Sequence, residues 1–595
     1  MMTIMALVPI ITIITSQLHN LKPHNLKLPQ PQITSNMTYR ELTTSEIQHL
    51  ERQGCRCTDW SAIEVAESFS PRDIHSVTFD GHVRIGAGCR MANVGIVRTT
   101  EGATYGEGIT VSVLNEGGDG NLLFFSKLTS QLAALMVRNS RDLAFWNNIS
   151  EMIHREVSTT KVPCTTIGNG VTIADTRELT NVVIGDECEI AGAARLVDCT
   201  LQSTSEASIL ISDGVICDNC IIQAGASVTD FAKLYNTFVG EACHIGRGFT
   251  SENSAFFANS HMDNGESCAA LCGPFSVSHH KSTLVIGGEY SFYNAGSGTN
   301  FSNHAYKMGP IHWGRLMRGS KTASSAHVLW PAQVGAFSMV MGKVQTHPDT
   351  TQLPFSYLIA QGDATFLVPG RNFTTVGTYR DIEKWAKRDR RPRSGRMSLV
   401  QYDWLNPLTV QQCIDGRKIL ERLQREQGQS VASYSYNGVV IRNASLQKGL
   451  RYYSLAIRLA MLEALEQHEA SLPESASGAG EWCDMLGMLA PEAEIASLVN
   501  DIRQEELIDI NDVAAVLCDI HDAYAEHKWA WVYRVLQEQC NVDNITEQER
   551  LNMINTLMSA RNEWLTAIRY DAEKEYQMGD VEEEVLHGFI DKITG

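Results

Sequence analysis

The chain has 595 residues, of which 43% are hydrophobic and 20% are charged, so it can bury a sizeable core. Its formal net charge of −19 disfavours nucleic acid and anionic membrane surfaces as partners. The cysteine count of 15 is odd, and a chain of this length needs no disulfides. We interpret the cysteines of the central region as small core residues in a reducing cytoplasm: Cys188, Cys199, Cys217, Cys220, Cys243, Cys268 and Cys272.

Residues 1–36 differ in character from the rest of the chain. An apolar run at residues 5–14 has no Lys or Arg before it, no clear cleavage site after it, and too few residues to span a bilayer. We interpret residues 1–36 as a non-structural N-terminal extension, with a degenerate signal peptide as the alternative. Residues 37–74 then form a lead-in with one short helix, which begins at the capping-box spacing from Ser45 to Gln48.

Aliphatic residues recur at a fixed spacing through much of the region 75–370. Ile222, Val228 and Leu234 are six residues apart, and the next step, to Val239, is five, so one complete turn takes 17 residues. A second turn of 17 residues begins at Ile167. So regular a step indicates a repeating coil.

This spacing is typical of a single-stranded left-handed parallel β-helix of the hexapeptide-repeat kind. Each triangular coil has three short strands, one inward aliphatic side chain per side, and small residues or Gly beside the corners. Successive coils lie about 4.8 Å apart and pair in parallel. The residues predicted to point inside are Ile184, Ile190, Val228, Val239 and Ile245.

Helical patterns interrupt and follow the repeat. Leu128 and Leu132 belong to a helical spacing that predicts an insertion at about 121–158. Residues 371–595 are predicted to form an α-helical C-terminal region, which could cap the last coil. The basic run 380–396 within it is interpreted as a solvated linker, with phosphate binding as the alternative.

The repeat resembles the hexapeptide-repeat acyltransferase superfamily over residues 164–370, and more weakly over 75–118. A local similarity to the acyl-carrier-protein-dependent UDP-sugar O-acyltransferases of lipid A synthesis is carried by the runs 259–268, 276–280 and 285–288. That family places a general-base His on one coil and a second His about one coil later. The resemblance implies that His261, offset by one residue, is the base and that His279 is the second His. Asn259 is assigned to the substrate site.

The spacing of three histidines supports this comparison independently. His244, His261 and His279 are 17 and 18 residues apart, which predicts a column of imidazoles at one place on successive coils. A His of near-neutral pKa can take a proton from a sugar hydroxyl as that hydroxyl attacks a thioester. We therefore predict His261 and His279 to be catalytic and His244 to bind substrate. The alternative is a surface ladder that serves packing alone.

A second polar cluster follows where the repeat becomes irregular, and irregular excursions from a rigid scaffold commonly carry binding groups. Its cations could hold a phosphate or diphosphate, and a solvated loop is the alternative. The predicted substrate-binding residues are Asn303, His304, Lys307, Arg315, Arg318 and Lys321. No metal site is predicted, because no recognised ligand spacing joins His304, His312, His327 and His347.

Over its full length the chain also resembles a β-helix family with a helical tail, whose members carry the label glucose-1-phosphate thymidylyltransferase. The residues that suggest it lie in the runs 402–407, 434–437 and 446–449, with Gly416 and Arg417. The label implies a nucleotidyltransferase, which uses a Gly-rich phosphate loop on an α/β domain. The sequence shows neither that loop nor alternating strands and helices, so a shared β-helix explains the label without the activity.

Three functions follow as expectations. The first is a transferase of the hexapeptide-repeat type, which moves an acyl group from acyl-CoA or acyl-carrier protein to a hydroxyl or amine of a sugar or nucleotide sugar, without a covalently bound cofactor. The second is a nucleotidyltransferase-like or nucleotide-sugar-binding protein, and the third is a non-catalytic β-helix scaffold. The acyltransferase resemblance implies a homotrimer. We expect a cytoplasmic protein whose partner is a small molecule rather than nucleic acid or a membrane.

Overall fold

The structure is a computed structural model that describes residues 38–302, 312–469, 471–540 and 544–579, together with residues 584 and 588. The interpreted N-terminal extension, residues 1–36, lies outside the described residues. The described chain is a mixed protein in which a long, mainly parallel sheet is followed by helices.

Short strands make up most of the sheet and of the hairpins attached to it. In chain order they are β1 (Tyr39–Glu41), β2 (Arg56–Cys57), β3 (Ile63–Ala66), β4 (Ile74–Asp80), β5 (Val83–Ile85), β6 (Arg90–Arg98), β7 (Thr110–Asn115), β8 (Asp119–Leu123), β9 (Thr165–Ile167), β10 (Thr172–Ala174), β11 (Glu178–Ile184), β12 (Glu189–Ala191), β13 (Arg195–Leu201), β14 (Leu210–Ile211), β15 (Ile216–Ile222), β16 (Ser227–Val228), β17 (Lys233–Val239), β18 (His244–Gly246), β19 (Thr250–Phe256), β20 (His261–Asp263), β21 (Glu266–Cys268), β22 (Leu271–Cys272), β23 (Val277–Ser278), β24 (Leu284–Ile286), β25 (Glu289–Tyr290), β26 (Asn300–Ser302), β27 (Arg315–Leu316), β28 (Lys321–Thr322), β29 (His327–Leu329), β30 (Gln333–Val334), β31 (Met339–Met341), β32 (Lys343–Val344), β33 (Tyr357–Gln361), β34 (Ala364–Val368), β35 (Ser433–Tyr436), β36 (Val439–Arg442), β37 (Trp482–Met485) and β38 (Met488–Pro491).

Most of the helices lie in the C-terminal third. In chain order they are α1 (Thr44–Arg52), α2 (Ser130–Arg138), α3 (Leu143–Thr160), α4 (Val376–Lys387), α5 (Pro407–Gln427), α6 (Asn443–Gln467), α7 (Glu492–Arg503), α8 (Ile510–Asp522), α9 (Tyr524–Cys540) and α10 (Glu547–Met578). Among the residues that the structure describes, no helix has the length and apolar character needed to cross a membrane.

The register of the long sheet follows the repeat in the sequence. Ile222 lies beside Val239, 17 residues later, and Val239 lies beside Phe256. On another side of the coil, Val228 lies beside Ile245. Because each strand pairs in parallel with a strand one coil later, the sheet has the spacing that the aliphatic residues predict. This arrangement is compatible with a β-helix.

Asn and Asp residues with left-handed backbone form one corner of the coil. Five stacked strands of seven residues each, β11, β13, β15, β17 and β19, bend at a central residue of positive φ: Asn181, Asp198, Asn219, Asn236 and Asn253. Asn and Asp tolerate this conformation better than most residues that carry a Cβ. The Asn236 amide also accepts a hydrogen bond from Asn219 at 3.2 Å and donates one to Asn253 at 3.0 Å. The corner is therefore held by a ladder of side chains as well as by the backbone.

The interior of the coils is apolar, as predicted. Ile184, Ile190, Val228, Val239 and Ile245 are all 0% exposed and belong to one continuous core. Burial of each such side chain stabilises the fold by about 1.5–3 kcal/mol. The same core contains most of the cysteines that were interpreted as core residues, namely Cys188, Cys199, Cys217, Cys220, Cys243 and Cys272.

The first helix begins earlier than the sequence pattern suggested. Thr43, rather than Ser45, is the N-cap of α1, and Glu46 completes the capping box by accepting a hydrogen bond from the Thr43 backbone N–H at 2.8 Å. Arg40 stabilises this helix start because its guanidinium donates a hydrogen bond to Glu46 at 2.8 Å. The predicted frame from Ser45 to Gln48 is therefore wrong by two residues.

The insertion joins the coils to the C-terminal helices. After the β7–β8 hairpin, α2 and α3 pack against the outer face of the long sheet. The Phe238 ring on that face lies 5.8 Å from the ring of Phe124 and 5.4 Å from that of Phe257, centroid to centroid. Because α3 also contacts α7 and α8, the insertion lies between the sheet and the helices that follow it.

A strap formed by residues 388–401 ties the C-terminal region to the coils. Within it Arg391 is buried, with its guanidinium 2.9 Å from the Asp389 carboxylate and 3.7 Å from that of Glu241 on the coil. Glu241 also accepts two hydrogen bonds from backbone N–H groups of the strap. The interpretation of the basic run 380–396 as a solvated linker is therefore wrong at Arg391, which is part of a buried ionic network.

Candidate functional site

His244 and His261 lie side by side on adjacent coils. Each is the first residue of its strand, β18 or β20, and the two residues are direct partners in the parallel register. Their ring centroids are 4.6 Å apart. The predicted stacking of imidazoles is confirmed for this pair, because a 17-residue coil returns the chain to the same place.

His279 joins this column by a different route. The residue that pairs with His261 on the next coil is Val277, so the prediction that His279 shares the same register position is wrong by two residues. Side chains two residues apart on an extended chain leave the same face. The His279 ring therefore still lies next to that of His261, with centroids 5.6 Å apart. We call His244, His261 and His279 the histidine column.

Asp263 links two members of the histidine column. It lies two residues after His261 on β20 and is 1% exposed. One carboxylate oxygen, Oδ2, lies 3.0 Å from His261 Nε2, and the other, Oδ1, lies 3.4 Å from His244 Nε2. The Arg247 guanidinium adds a positive charge, 3.6 Å from Oδ2. Asp263 was not among the predicted site residues, although a His-x-Asp spacing on a strand places both side chains on one face.

The Asp263 carboxylate determines which nitrogen of His261 can act as a base. A carboxylate only accepts hydrogen bonds, so Nε2 of His261 carries the proton in this contact. Nδ1 of the same ring is then left as a proton acceptor. His244 is held from its other side, because its Nδ1 lies 2.8 Å from the hydroxyl of Ser227. The two rings are thus oriented by neighbouring side chains.

Burial and positive neighbours lower the pKa of two histidines in the column. For His244 the largest cause is burial, followed by the charge of His261. For His279 it is again burial, followed by His280 and His261. In both cases Asp263 acts in the opposite direction, towards a higher pKa. The net effect favours neutral imidazoles near pH 7, which is the form that accepts a proton.

His244, His261 and Asp263 could together hold a metal ion. Ligand atoms of His244, His261 and Asp263 all lie within 4.8 Å of one another. Two imidazole nitrogens and a carboxylate are ligands that Zn²⁺ and other divalent transition metals accept. No metal site is predicted from the sequence, where His244, His261 and Asp263 show no recognised ligand spacing. The absence of a metal site stays a prediction, and metal binding by His244, His261 and Asp263 would contradict it.

Two cations of the second polar cluster are bound by the protein itself. The Arg318 side chain is 2% exposed and lies 3.0 Å from the carboxylate of Asp484, and it also donates to two backbone carbonyls of the C-terminal region. Lys321 forms an ion pair with Asp381 on α4. In the structure both residues connect the coils to the C-terminal region, and their assignment to substrate binding stays a prediction.

Arg315 is the remaining cation of that cluster among the described residues. It contacts the buried carboxylate of Glu289 at 3.0 Å and lines a cavity. The other three predicted members of the cluster, Asn303, His304 and Lys307, lie outside the described residues. Phosphate binding by this cluster stays a prediction, and among its described cations Arg315 is the one that lines the cavity.

Asn259 has a structural role close to the histidine column. Its amide donates to the Asp389 carboxylate at 2.9 Å, and its carbonyl oxygen accepts from the backbone N–H of Arg390 at 2.9 Å. Both partners belong to the strap. Asn259 thus fastens the strap to the coil that carries His261, and its predicted contact with substrate stays a prediction.

Comparisons with known proteins identify families of unknown function. A family model described as Domain of unknown function (DUF6819) matches residues 464–582. A search of curated proteins found no match. A second family model, described as Domain of unknown function (DUF4954), matches residues 39–89 and 82–424, which together make up more than half of the chain. The chain therefore belongs to the DUF4954 family.

Proposed function

We propose that the protein is an acyltransferase of the hexapeptide-repeat type, built on a left-handed parallel β-helix. The acyl group would come from acyl-CoA or acyl-carrier protein and would pass to a hydroxyl or amine of a sugar or nucleotide sugar. One observation carries the proposal: the imidazole of His261 is hydrogen-bonded to buried Asp263 and flanked by two further imidazoles. That arrangement orients a base and stabilises its protonated form.

His261 acts as the general base in this proposal. Its Nδ1 takes the proton of the acceptor hydroxyl as the hydroxyl oxygen forms a bond to the thioester carbonyl carbon. The carbon–sulfur bond then breaks, and the departing thiolate takes the proton back from His261. Asp263 accepts the hydrogen bond from Nε2 throughout and stabilises the transient imidazolium. In this proposal His279 orients the donor or the acceptor.

The first prediction concerns turnover. Purified protein is mixed with acetyl-CoA or an acyl-carrier-protein thioester and a panel of sugars and nucleotide sugars, and release of free thiol is followed. His261→Ala should lower kcat by about a hundredfold or more, because a general base of this kind contributes that much. The melting temperature should change little, because His261 is partly exposed and His244 and Arg247 stay beside the Asp263 carboxylate in the variant.

His75→Ala is the matched control, since His75 is an exposed histidine on β4, within the same long sheet. A loss of activity in both variants would show a general effect on the fold. If no donor transfers an acyl group and His261→Ala instead lowers the melting temperature, the column is a structural ladder and the scaffold alternative takes precedence. Binding of a nucleotide sugar without transfer would favour the nucleotide-sugar-binding alternative.

Binding of a divalent transition metal is a second candidate function for the same residues. The observation that favours it is the convergence of three ligand groups, with Oδ1 of Asp263 buried and receiving no hydrogen bond from the described residues. A metal would use His261 Nε2 as a ligand, so the two functions make opposite demands on that atom.

The second prediction separates these functions. Zn²⁺ is titrated calorimetrically into wild-type protein and into Asp263→Asn, which keeps the size of the side chain but removes its charge. Metal binding predicts a stoichiometric site in the wild type that weakens at least tenfold in the variant, since the variant loses its anionic ligand. The acyltransferase proposal instead predicts that EDTA leaves thiol release unchanged. Loss of thiol release on EDTA treatment, restored by Zn²⁺, would contradict a metal-free general base.

A further inference from the structure

A cavity of about 690 Å³ lies between the coils and the C-terminal region. The residues that line it come mainly from helix α2, strands β25 and β27, helix α5, the β37–β38 hairpin and helices α7 and α9. A volume of this size accommodates a small molecule. None of its lining residues belongs to the histidine column, so what it binds can be tested independently of the proposed transfer reaction.

The deep wall of this cavity carries two guanidinium groups on one buried carboxylate. Glu289 is 4% exposed and receives two guanidinium groups, with Arg138 Nη2 2.9 Å and Arg315 Nε 3.0 Å from its Oε1 atom. Burial alone would raise the pKa of Glu289, but the two arginines hold this pKa below its ordinary value, so the carboxylate is charged. The neighbouring pair of Arg318 and Asp484 is balanced. At this end of the cavity two arginines therefore share one carboxylate, which leaves guanidinium N–H groups available to an anion, while the whole lining has four arginines and five carboxyl groups.

Polar groups in the wall lack protein partners. Ser291 is 5% exposed and Gln412 is 3% exposed, and neither the Ser291 hydroxyl nor Oε1 of Gln412 is hydrogen-bonded by any described residue. The Gln412 amide nitrogen reaches only the sulfur of Met317, at 3.9 Å. The Nε atom of Arg138 is also buried and has no hydrogen-bond partner among the described residues. Buried polar groups are rarely left unpaired in folded proteins, so these groups indicate a ligand that both donates and accepts hydrogen bonds.

Acidic groups at the mouth of the cavity complete its polarity. Glu481 and Glu492 are exposed lining residues. Burial and the neighbouring carboxyl of Glu481 raise the pKa of Glu492, so the two acids lie close enough to share a proton. Carboxylates in this position accept hydrogen bonds from hydroxyl groups. The cavity therefore has a cationic deep end and a mouth suited to hydroxyls.

We infer that this cavity is a binding site for a sugar phosphate, with the phosphate against Arg138 and Arg315 and the hydroxyls against Ser291, Gln412 and the acidic mouth. A phosphate group supplies negative charge and acceptor oxygens for the N–H donors of the two guanidinium groups. Hydroxyls both donate and accept, which is what a lone serine hydroxyl and an unpaired amide oxygen require. Because the wall is formed by α2, the coils and the C-terminal region together, binding would also stabilise the contact between them.

The experiment measures binding of four probes to the full chain: glucose 6-phosphate, fructose 6-phosphate, ribose 5-phosphate and glycerol 3-phosphate. Thermal shift at millimolar concentration is followed by calorimetry on any probe that raises the melting temperature. We expect at least one of them to bind, with glucose and inorganic phosphate separately at least tenfold weaker. Gln412→Leu and Ser291→Ala should each weaken binding at least fivefold. Both should nearly keep the melting temperature of the free protein, because the Ser291 hydroxyl and Oε1 of Gln412 have no hydrogen-bond partner among the described residues and the Gln412 amide nitrogen has only a weak contact with the Met317 sulfur.

Arg138→Met tests the phosphate end, and its matched control is Arg141→Met, since the Arg141 side chain is 84% exposed on the segment just after α2. Arg138→Met should lose the preference for a sugar phosphate over the corresponding sugar, and the control should keep it. The inference is overturned if none of the four probes binds, or if Gln412→Leu and Ser291→Ala bind as tightly as the wild type. Equal binding of inorganic phosphate and the sugar phosphates would show an anion site only and would also overturn it.

Discussion

At the scale of single residues, one buried carboxylate organises the histidine column. Asp263 lies between His244 and His261, and Arg247 approaches it from the side. Because both rings contact this buried carboxylate, replacing either histidine should change the electrostatic environment of the other through Asp263. The chemistry of the column is thus a property of the group rather than of His261 by itself.

The third prediction concerns pH. Because burial lowers the pKa of His244 and His279 in the folded protein, the unfolded chain binds protons first as the pH falls below about 6.5. The free energy of unfolding should therefore fall on acidification from pH 7 to 5.5, and part of this loss should disappear in a His244→Gln/His279→Gln double variant. Urea titrations at several pH values measure it, with His75→Gln as the control.

A double variant that loses stability on acidification as steeply as the wild type would contradict this prediction. The charged groups that face the two rings are His261, Asp263, Arg247, Asp230 and His280. Since Asp263 raises the pKa of both histidines, Asp263→Asn should make the acid sensitivity steeper rather than shallower.

Residue roles were only partly predictable from the sequence. The 17-residue spacing brought His244 and His261 together because a coil returns the chain to the same place. The position of His279 was missed because the coil after His261 is one residue shorter, so Val277 occupies the predicted place. Local spacing cannot show such a change in coil length, nor that a neighbouring side chain such as Asp263 becomes buried.

At the scale of elements, the inward aliphatic residue of each strand decides whether the strand can stack. The fourth prediction is that Val239→Asp destabilises the protein by several kcal/mol, because it places an unpaired charge at a position that is 0% exposed. Chemical denaturation measures the change. Lys233→Asp, on the exposed side of the same strand, is the matched control and should alter stability by about 0.5 kcal/mol or less.

A Val239→Asp variant that melts at the wild-type temperature would show that the side chain escapes the core. The position of this residue inside the coil was predicted from spacing alone, because aliphatic periodicity is a local signal. The strap at 388–401 was not, since its buried Arg391 looks like any residue of a basic run until Glu241 and Asp389 are placed beside it. Elements that depend on distant partners are the ones that sequence patterns miss.

At the scale of the whole molecule, contacts join the coils, the insertion and the C-terminal helices to one another. Helix α3 lies against α7 and α8, and Arg318 on the coil side binds Asp484 of the β37–β38 hairpin. The predicted order of a sheet followed by helices is confirmed. Contacts between distant segments carry no periodic signal, so the cavity they enclose was not predicted.

The fifth prediction concerns assembly. The acyltransferase resemblance implies a homotrimer with sites between subunits, so the particle should weigh about three times the 65.8 kDa of the chain. Multi-angle light scattering at micromolar concentration measures this mass. A monomer would exclude a site between subunits and would require His261 to act with residues of its own chain.

The coil spacing has a consequence for how this chain can change in length. From Leu196 to its partner Cys217 the coil takes 21 residues, whereas the coil from Cys217 to Leu234 takes 17. The additional residues lie at the corner between β13 and β14, where Thr204 and Ala207 close a turn, and the strands on either side keep their register. Corners are therefore the places where insertions and deletions can accumulate through evolution. A change of one residue within a strand would instead turn its apolar face outward.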